Sequence, residues 1–66
     1  MQITVNGEMR GFQGVADVAA LVAELGLDVR KVAVERNLEI VPKSAYAATP
    51  LADGDRIEIV TFIGGG

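Results

Sequence analysis

The chain opens with Met1-Gln2-Ile3-Thr4-Val5-Asn6-Gly7, in which apolar and polar side chains alternate up to a turn dipeptide. Alternation with a period of two is typical of a strand that buries one face. Asn-Gly favours a type I′ turn, because both central positions of that turn need a positive φ. The opening therefore predicts a β-hairpin. We expect its second strand over residues 8–12, ending near Gly14, with Met9 or Phe12 reaching the core.

The next apolar residues follow the spacing of a helix. The apolar residues are Val18, Leu21, Val22 and Leu25. Their spacing of i, i+3, i+4 and i+7 places them on one face of a helix. We expect an amphipathic helix of about three turns, with Asp17 in its first turn, where a negative charge suits the helix dipole, and Gly26 as a left-handed C-cap. Its start is weakly marked, because Gln13 and Gly14 stand where Ser, Thr or Asp usually caps a helix.

Strand-like alternation returns after the helix. Val32 and Val34 share one face of a third predicted strand, which ends at Asn37. A short fourth strand is expected over residues 38–41. Pro42 must lie at an edge or past the end of that strand, because proline cannot donate a hydrogen bond to a ladder.

The last third of the chain predicts a loop, a turn and a final strand. Residues 43–50 are expected to form a loop or a brief helical turn, in which Tyr46 packs. Asp53-Gly54-Asp55 is a strong turn signal. Alternation over residues 56–62 predicts the final strand, in which Ile57 and Ile59 alternate with Glu58 and Val60.

The element order is therefore β-β-α-β-β-β. One helix with a single apolar stripe covers one face of a sheet, so we expect an α+β fold of the β-grasp (ubiquitin-like) class. In it, one helix packs across a mixed sheet of four to five strands, with the first hairpin and the last strand at the centre. A plainer α+β arrangement of the same elements is the alternative. Residues 1–63 are expected to form a single domain and residues 64–66 a flexible glycine tail.

Length and composition exclude several classes of protein. A chain of 66 residues is too short for a dinucleotide-binding sheet or a (β/α)₈ barrel. With no cysteine and no histidine, the commonest nucleophile, general base and metal ligands are missing. A net charge of −3 lacks the basic stripe that nucleic-acid binding requires. We therefore expect no catalytic residue, no metal site and no bound cofactor.

The hydropathy of the chain indicates neither a membrane span nor a secretory signal. The longest uninterrupted apolar run spans residues 18–23, whereas a membrane span needs about 20 such residues. The N-terminus has no basic residues followed by an apolar stretch, as a secretory signal would. We expect a cytoplasmic protein that does not contact a membrane.

The sequence ends in Ile63-Gly64-Gly65-Gly66, directly after the last predicted strand. A tail without Cβ atoms can enter a narrow channel in a partner enzyme and present its α-carboxylate there. A carboxylate does not transfer its acyl group until it is activated, for example as an acyl adenylate. This chain has no glycine-rich loop followed by lysine and a helix, so an outside enzyme would have to bind the ATP.

Several stretches, weak one by one, are fairly specific when taken together and in order. They are Met1-Gln2-Ile3 before Asn6-Gly7, Val32-Ala33-Val34-Glu35-Arg36-Asn37, Ile40-Val41-Pro42-Lys43, Leu51 with Gly54-Asp55 before Ile57, and Val60-Thr61-Phe62-Ile63-Gly64-Gly65-Gly66. With these stretches the whole chain resembles the ThiS family, the ubiquitin-like sulfur carriers of thiamin biosynthesis.

The resemblance implies a sulfur shuttle. An E1-like adenylyltransferase of the ThiF type would adenylate the carboxylate of Gly66, which would then become a thiocarboxylate with sulfur relayed from a cysteine desulfurase. A thiazole synthase of the ThiG type would take the sulfur. Gly65 would keep the channel narrow, and Gly64 is common in the family but not required. The ATP would be used by the partner enzyme.

A surface for the partner is expected beside the tail. If the isoleucines of the last strand face the helix, Val60 and Phe62 share the outer face of the sheet with Ala33. Together with Ile63 they are the candidate partner-binding residues. The alternative for Phe62 is that it folds back and closes the edge of the core. Arg36 and Lys43 could steer an acidic partner, but such charges are usually solvated surface.

Two other functions remain open. A carrier of the same fold could serve molybdopterin synthesis or tRNA thiolation, or could be joined to proteins as a modifier. Molybdopterin carriers tend to be longer and to have prolines before the glycines, which this chain lacks. A plain interaction domain whose tail has no role is the third possibility.

Overall fold

The structure, a computed structural model, describes residues 1–63, so the predicted flexible tail at residues 64–66 lies outside the described residues. Within residues 1–63 it contains five strands, one α-helix and two short 3₁₀ helices. In chain order the elements are β1 (Gln2–Val5), β2 (Glu8–Gly11), α1 (Val18–Glu24), a 3₁₀ helix (Val29–Lys31), β3 (Val32–Arg36), β4 (Glu39–Val41), a 3₁₀ helix (Lys43–Ala48) and β5 (Arg56–Thr61).

The five strands form one mixed sheet in the order β2-β1-β5-β3-β4. β1 runs parallel to β5, and β3 is antiparallel to both β5 and β4. The β-grasp prediction of a mixed sheet with one helix is thus confirmed. The prediction that both strands of the first hairpin lie at the centre of the sheet is wrong. β1 pairs with β2 on one side and with β5 on the other, so β2 is an edge strand.

The core lies between the sheet and α1. Its largest fully buried side chains, each less than 2% exposed, are Ile3, Leu21, Ile57, Val18, Val22, Val32 and Val34. Ile57 and Ile59 face the helix and are buried, which meets the condition set for an outer face with Val60 and Phe62. Phe12, not Met9, is the hairpin residue that reaches the core, because Met9 lies on the outer face and is 72% exposed. Tyr46 is buried in its 3₁₀ helix, as expected for a packing residue.

The helix begins later than predicted and covers seven residues, about two turns. Asp17 is its N-cap, with extended backbone, and its carboxylate accepts a hydrogen bond from the Ala20 N–H at 2.8 Å. The position predicted for Asp17 in the first turn was therefore wrong, and the sequence did contain a standard cap. Gly26, just beyond the helix, has a φ of +72°, as predicted for a left-handed C-cap.

Two hairpin turns begin with asparagine. Asn6 and Gly7 have φ values of +51° and +84°, which confirms the predicted type I′ geometry. Asn37 and Leu38, between β3 and β4, have φ values of +51° and +71°. The sequence did not predict this second turn as a tight hairpin, since leucine rarely adopts a positive φ.

In the part of the chain that the structure describes, α1 and the 3₁₀ helices are all too short to reach across a lipid bilayer.

Candidate functional site

The candidate site lies where the central strand β5 ends. β5 pairs with β3 from Ile57 to Thr61. After Thr61 the chain continues through Phe62 to Ile63, which is 96% exposed. The predicted modified residue Gly66 and its neighbours Gly64 and Gly65 follow in sequence and lie outside the described residues. The site is therefore built from the residues that flank the end of β5.

An exposed apolar pair lies on the outer face of the sheet. Val60 stands opposite Ala33 in the antiparallel register of β5 and β3. Side chains alternate along a strand, and the neighbouring Ile59 faces the helix. Val60 and Ala33 therefore face away from the helix. Val60 is 59% exposed and Ala33 is also exposed. The structure thus brings together the two residues that the sequence placed on one face.

Phe62 lies just past β5 and is 51% exposed. Its N–H donates to the Lys31 carbonyl at 2.8 Å, which continues the ladder with β3 by one residue. The Lys43 ammonium lies 5.9 Å from the centroid of the Phe62 ring, within the range of a cation–π contact. The same ammonium donates to the Arg30 carbonyl at 2.9 Å. Phe62 is therefore held at the surface and does not fold back to close the core.

Basic side chains gather at this end of the sheet. Lys43 contacts Phe62, and Arg30 and Lys31 belong to the 3₁₀ helix just before β3. The Arg30 guanidinium pairs with the Asp28 carboxylate at 3.1 Å. Hydrogen bonds from the side chain and backbone of Arg30 lower the pKa of Asp28 to about 2. In a chain of net charge −3, the end of β5 thus has local basic character beside exposed apolar side chains.

Arg36 has a structural role that the sequence analysis missed. Its Nε donates to the buried Asp55 carboxylate at 2.9 Å. Asn37 Nδ2 and the Ala52 N–H donate to the same carboxylate at 3.1 and 2.8 Å. Burial raises the pKa of Asp55, but these hydrogen bonds outweigh it, and the net pKa is lowered. Arg36 therefore helps to fix the start of β5, and steering of a partner does not account for its position.

The two turn asparagines also position β5. Asn37 Oδ1 accepts from the Arg56 N–H at 2.9 Å, at the start of the strand. Asn6 Oδ1 accepts from the Ile59 N–H at 2.7 Å, near its end. The Asn6-Gly7 dipeptide signalled a turn, but nothing local in the sequence indicated which distant backbone its amide would meet.

A family model described as the ThiS family matches residues 3–66 of the chain. The chain is 62% identical over 66 residues, its full length, to a thiazole synthase of Paramagnetospirillum magneticum, of which it covers 20%. It is 50% identical over 46 residues to the sulfur carrier protein ThiS of Bacillus subtilis, an alignment that covers 70% of each protein. The chain spans about a fifth of the length of the thiazole synthases that it matches.

Among solved structures, the chain is similar to the crystal structure of the thiamine biosynthesis protein ThiS from Geobacter metallireducens. The two have a TM-score of 0.85 and 36% sequence identity, and the alignment covers 100% of both chains. This likeness extends over every strand and over the helix described above.

Proposed function

The chain belongs to the ThiS family, and from this premise we propose that it is a sulfur carrier of thiamin biosynthesis. The observation that carries the proposal is that the family match runs through residue 66, so that it includes the glycines after β5. In this function the protein is a substrate and not an enzyme. It binds no cofactor of its own, and its partner uses the ATP.

We propose that Gly66 is the residue that carries the sulfur. Its carboxylate oxygen attacks the α-phosphorus of ATP on an adenylyltransferase of the ThiF type, and pyrophosphate leaves. Sulfide then adds to the acyl carbon, and AMP departs with the oxygen, which leaves a thiocarboxylate. Gly64 and Gly65 have no side chains, so the tail fits a narrow passage to the partner's active site. Because the activation uses ATP, we propose that the carrier works in the cytoplasm.

A thiazole synthase of the ThiG type is the proposed acceptor of the sulfur. Regions similar to the whole of this chain occur within proteins named thiazole synthase, at 62% and 42% identity. Carrier-like and synthase sequences therefore occur together in single polypeptides. This supports a direct meeting of the two proteins.

The docking surface proposed for these partners consists of Val60, Phe62, Ile63 and Ala33. Its apolar side chains are exposed beside the end of β5. Lys43 holds the Phe62 ring at the surface and adds a positive charge at its border. Such a surface suits a partner with an apolar contact area and an acidic rim.

Intact mass spectrometry tests the proposal. The purified chain is incubated with a ThiF-type adenylyltransferase, ATP and sulfide. We expect a mass increase equal to the replacement of one oxygen by sulfur, and no increase when ATP is omitted. A variant that lacks Gly65 and Gly66 is the control and should not change in mass. The same measurement on protein isolated from cells checks that it ends at Gly66. Absence of the increase in the unaltered chain would overturn the proposal.

A further inference from the structure

A cleft of about 290 Å³ lies beside the end of β5, on the side of the strand opposite β3. Its walls include Leu25 and Leu27 after α1, Arg10 of β2, and Ile59 and Thr61 of β5. None of these residues belongs to the docking surface defined above. The cleft opens where β1 stops and β5 continues.

Thr61, one of the residues that line this cleft, also presents an open strand edge. In an antiparallel ladder, alternate residues direct their N–H and C=O groups to opposite neighbours. The Phe62 N–H donates to β3, so the preceding residue, Thr61, directs its backbone N–H and C=O away from β3. Thr61 therefore faces the side on which β1 pairs with the earlier part of β5.

The pairing on that side ends before Thr61. The register of β1 with β5 stops at Val5 and Ile57. The Asn6 side chain extends it by one step, because its amide bonds the N–H and the C=O of Ile59 at 2.7 and 3.1 Å. The chain then turns away at Gly7. Within residues 1–63, the N–H and C=O of Thr61 have no hydrogen-bond partner.

Arg10 supplies a positive charge at the same cleft. Its guanidinium lies 5.5 Å from the centroid of the Phe12 ring. Arg30, Arg36 and Arg56 each pair with a carboxylate. In the part of the chain that the structure describes, Arg10 has no such partner. A stacked guanidinium without a carboxylate is free to bind an acidic group from another molecule.

We propose that this cleft binds an extended, acidic peptide segment of the protein that takes up the glycine tail. The segment adds as a strand to the open edge at Thr61, where β1 would lie if it continued. A carboxylate of the segment pairs with Arg10, and an apolar side chain packs against Leu25 and Leu27. This inference rests on the proposed function and adds a second contact, on the opposite side of β5 from β3.

The arrangement has a consequence for the tail. Thr61 is three residues before Gly64. A strand added at Thr61 would fix the direction of the backbone just before the glycines begin. Such fixing would lower the entropy cost of placing a side-chain-free tail in the partner's active site.

Amide hydrogen exchange of the ¹⁵N-labelled chain tests the strand directly, alone and with the adenylyltransferase or the thiazole synthase. The Thr61 amide should exchange rapidly in the free chain and become protected in one of these complexes. Rapid exchange in both complexes would overturn the inference. Protection in the free chain that grows with protein concentration would also overturn it, because a second copy would then be the occupant.

Affinity measurements test the charge and the backbone donor. Arg10→Gln should weaken binding of that partner about tenfold. The loss should be larger at low salt than at high salt, because salt screens the charge pair. A larger loss at high salt would contradict the pairing. Thr61→Pro removes the free N–H without removing a bond to β3 and should also weaken binding. Arg56→Gln, at the other end of β5, is the matched control. It removes only an exposed ion pair with Glu58 and should change the affinity for the partner less than twofold. Equal affinities for all variants would overturn the inference.

These measurements separate the inference from the proposed function. Thiocarboxylate formation by the unaltered chain with unchanged affinity of Arg10→Gln contradicts the cleft alone. Failure of the unaltered chain to form a thiocarboxylate contradicts the proposed function. Urea unfolding of each variant ensures that a loss of binding is not a loss of fold.

Discussion

The carboxamide of Asn6 exchanges two hydrogen bonds with the backbone of Ile59, 53 residues along the chain. It accepts from the Ile59 N–H at 2.7 Å and donates to the Ile59 carbonyl at 3.1 Å. A side chain at the turn thereby acts as one further residue of β1. Near Ile59 the central strand β5 is therefore bonded to Asn6 on one side and to β3 on the other, shortly before the candidate site.

Replacement of Asn6 by glycine tests this pairing. Glycine tolerates the φ of +51°, so the loss reports the two hydrogen bonds together with the extra entropy of unfolded glycine, and not strain in the turn. We expect the free energy of unfolding to fall by about 1 to 2 kcal/mol. Urea denaturation measures it. Glu8→Ala, at an exposed site in the same hairpin, is the control, and an equal loss in that variant would contradict the assignment.

Leu38→Gly should stabilise the protein. Leu38 has a φ of +71° in the turn between β3 and β4 and is 72% exposed, so it loses little contact when truncated. The left-handed conformation costs a non-glycine residue about 1 to 2 kcal/mol, part of which the extra entropy of unfolded glycine offsets. A rise of about 0.5 to 1 kcal/mol in unfolding free energy is expected. A fall in the thermal midpoint would show that the leucine side chain packs in solution.

Asp17→Ala should destabilise the helix by about 1 kcal/mol, because the Ala20 N–H loses its acceptor. Asp17→Ser keeps a capping oxygen and should retain most of the stability. Circular dichroism during thermal unfolding compares the two. Similar losses in both variants would mean that the negative charge, and not the cap, is what the helix uses.

The pKa of Asp55 is lowered, so folding should depend on pH in the acid range. Between the folded pKa and the ordinary unfolded value of about 3.9, the unfolded state binds more protons. The stability that Asp55 contributes is therefore present above pH 4, roughly, and is lost as the pH falls through the folded pKa. Urea midpoints measured across this range should drop in the unaltered chain.

Asp55→Asn is the matched variant for that measurement. It should be less stable at neutral pH, since the amide cannot accept all the bonds from Arg36, Asn37 and Ala52. Its stability should also fall less steeply in acid. A pH dependence as steep as that of the unaltered chain would assign the acid transition to other carboxylates.

Val60→Asp should weaken binding of the adenylyltransferase or the thiazole synthase by about tenfold or more, because a charge is placed in an apolar contact. Val60 is 59% exposed, so the fold should persist. Ile40→Asp is the control: Ile40 is 78% exposed on the edge strand β4 and lies outside the docking surface. Isothermal titration measures both. Equal affinities of the two variants would contradict the proposed surface.

The sequence determined the order of the strands and the helix along the chain and the faces that they bury. Alternation in Ile3 and Val5, and again in Ile57 and Ile59, placed these residues in the core, where the structure has them. The helical spacing that begins at Val18 gave one apolar stripe for one sheet face. These patterns are readable because side-chain direction repeats with the period of the local backbone.

The tertiary structure alone decided which distant groups meet. The partners of Asn6, Asn37 and Asp55 lie up to 53 residues away, and no local pattern specifies them. The same is true of β2 at the rim, of the cation beside Phe62 and of the open edge at Thr61. Each depends on strand order and on where one strand stops relative to its neighbour. Those relations arise only when the whole sheet assembles, because hydrogen bonds across a sheet join segments that the sequence keeps apart.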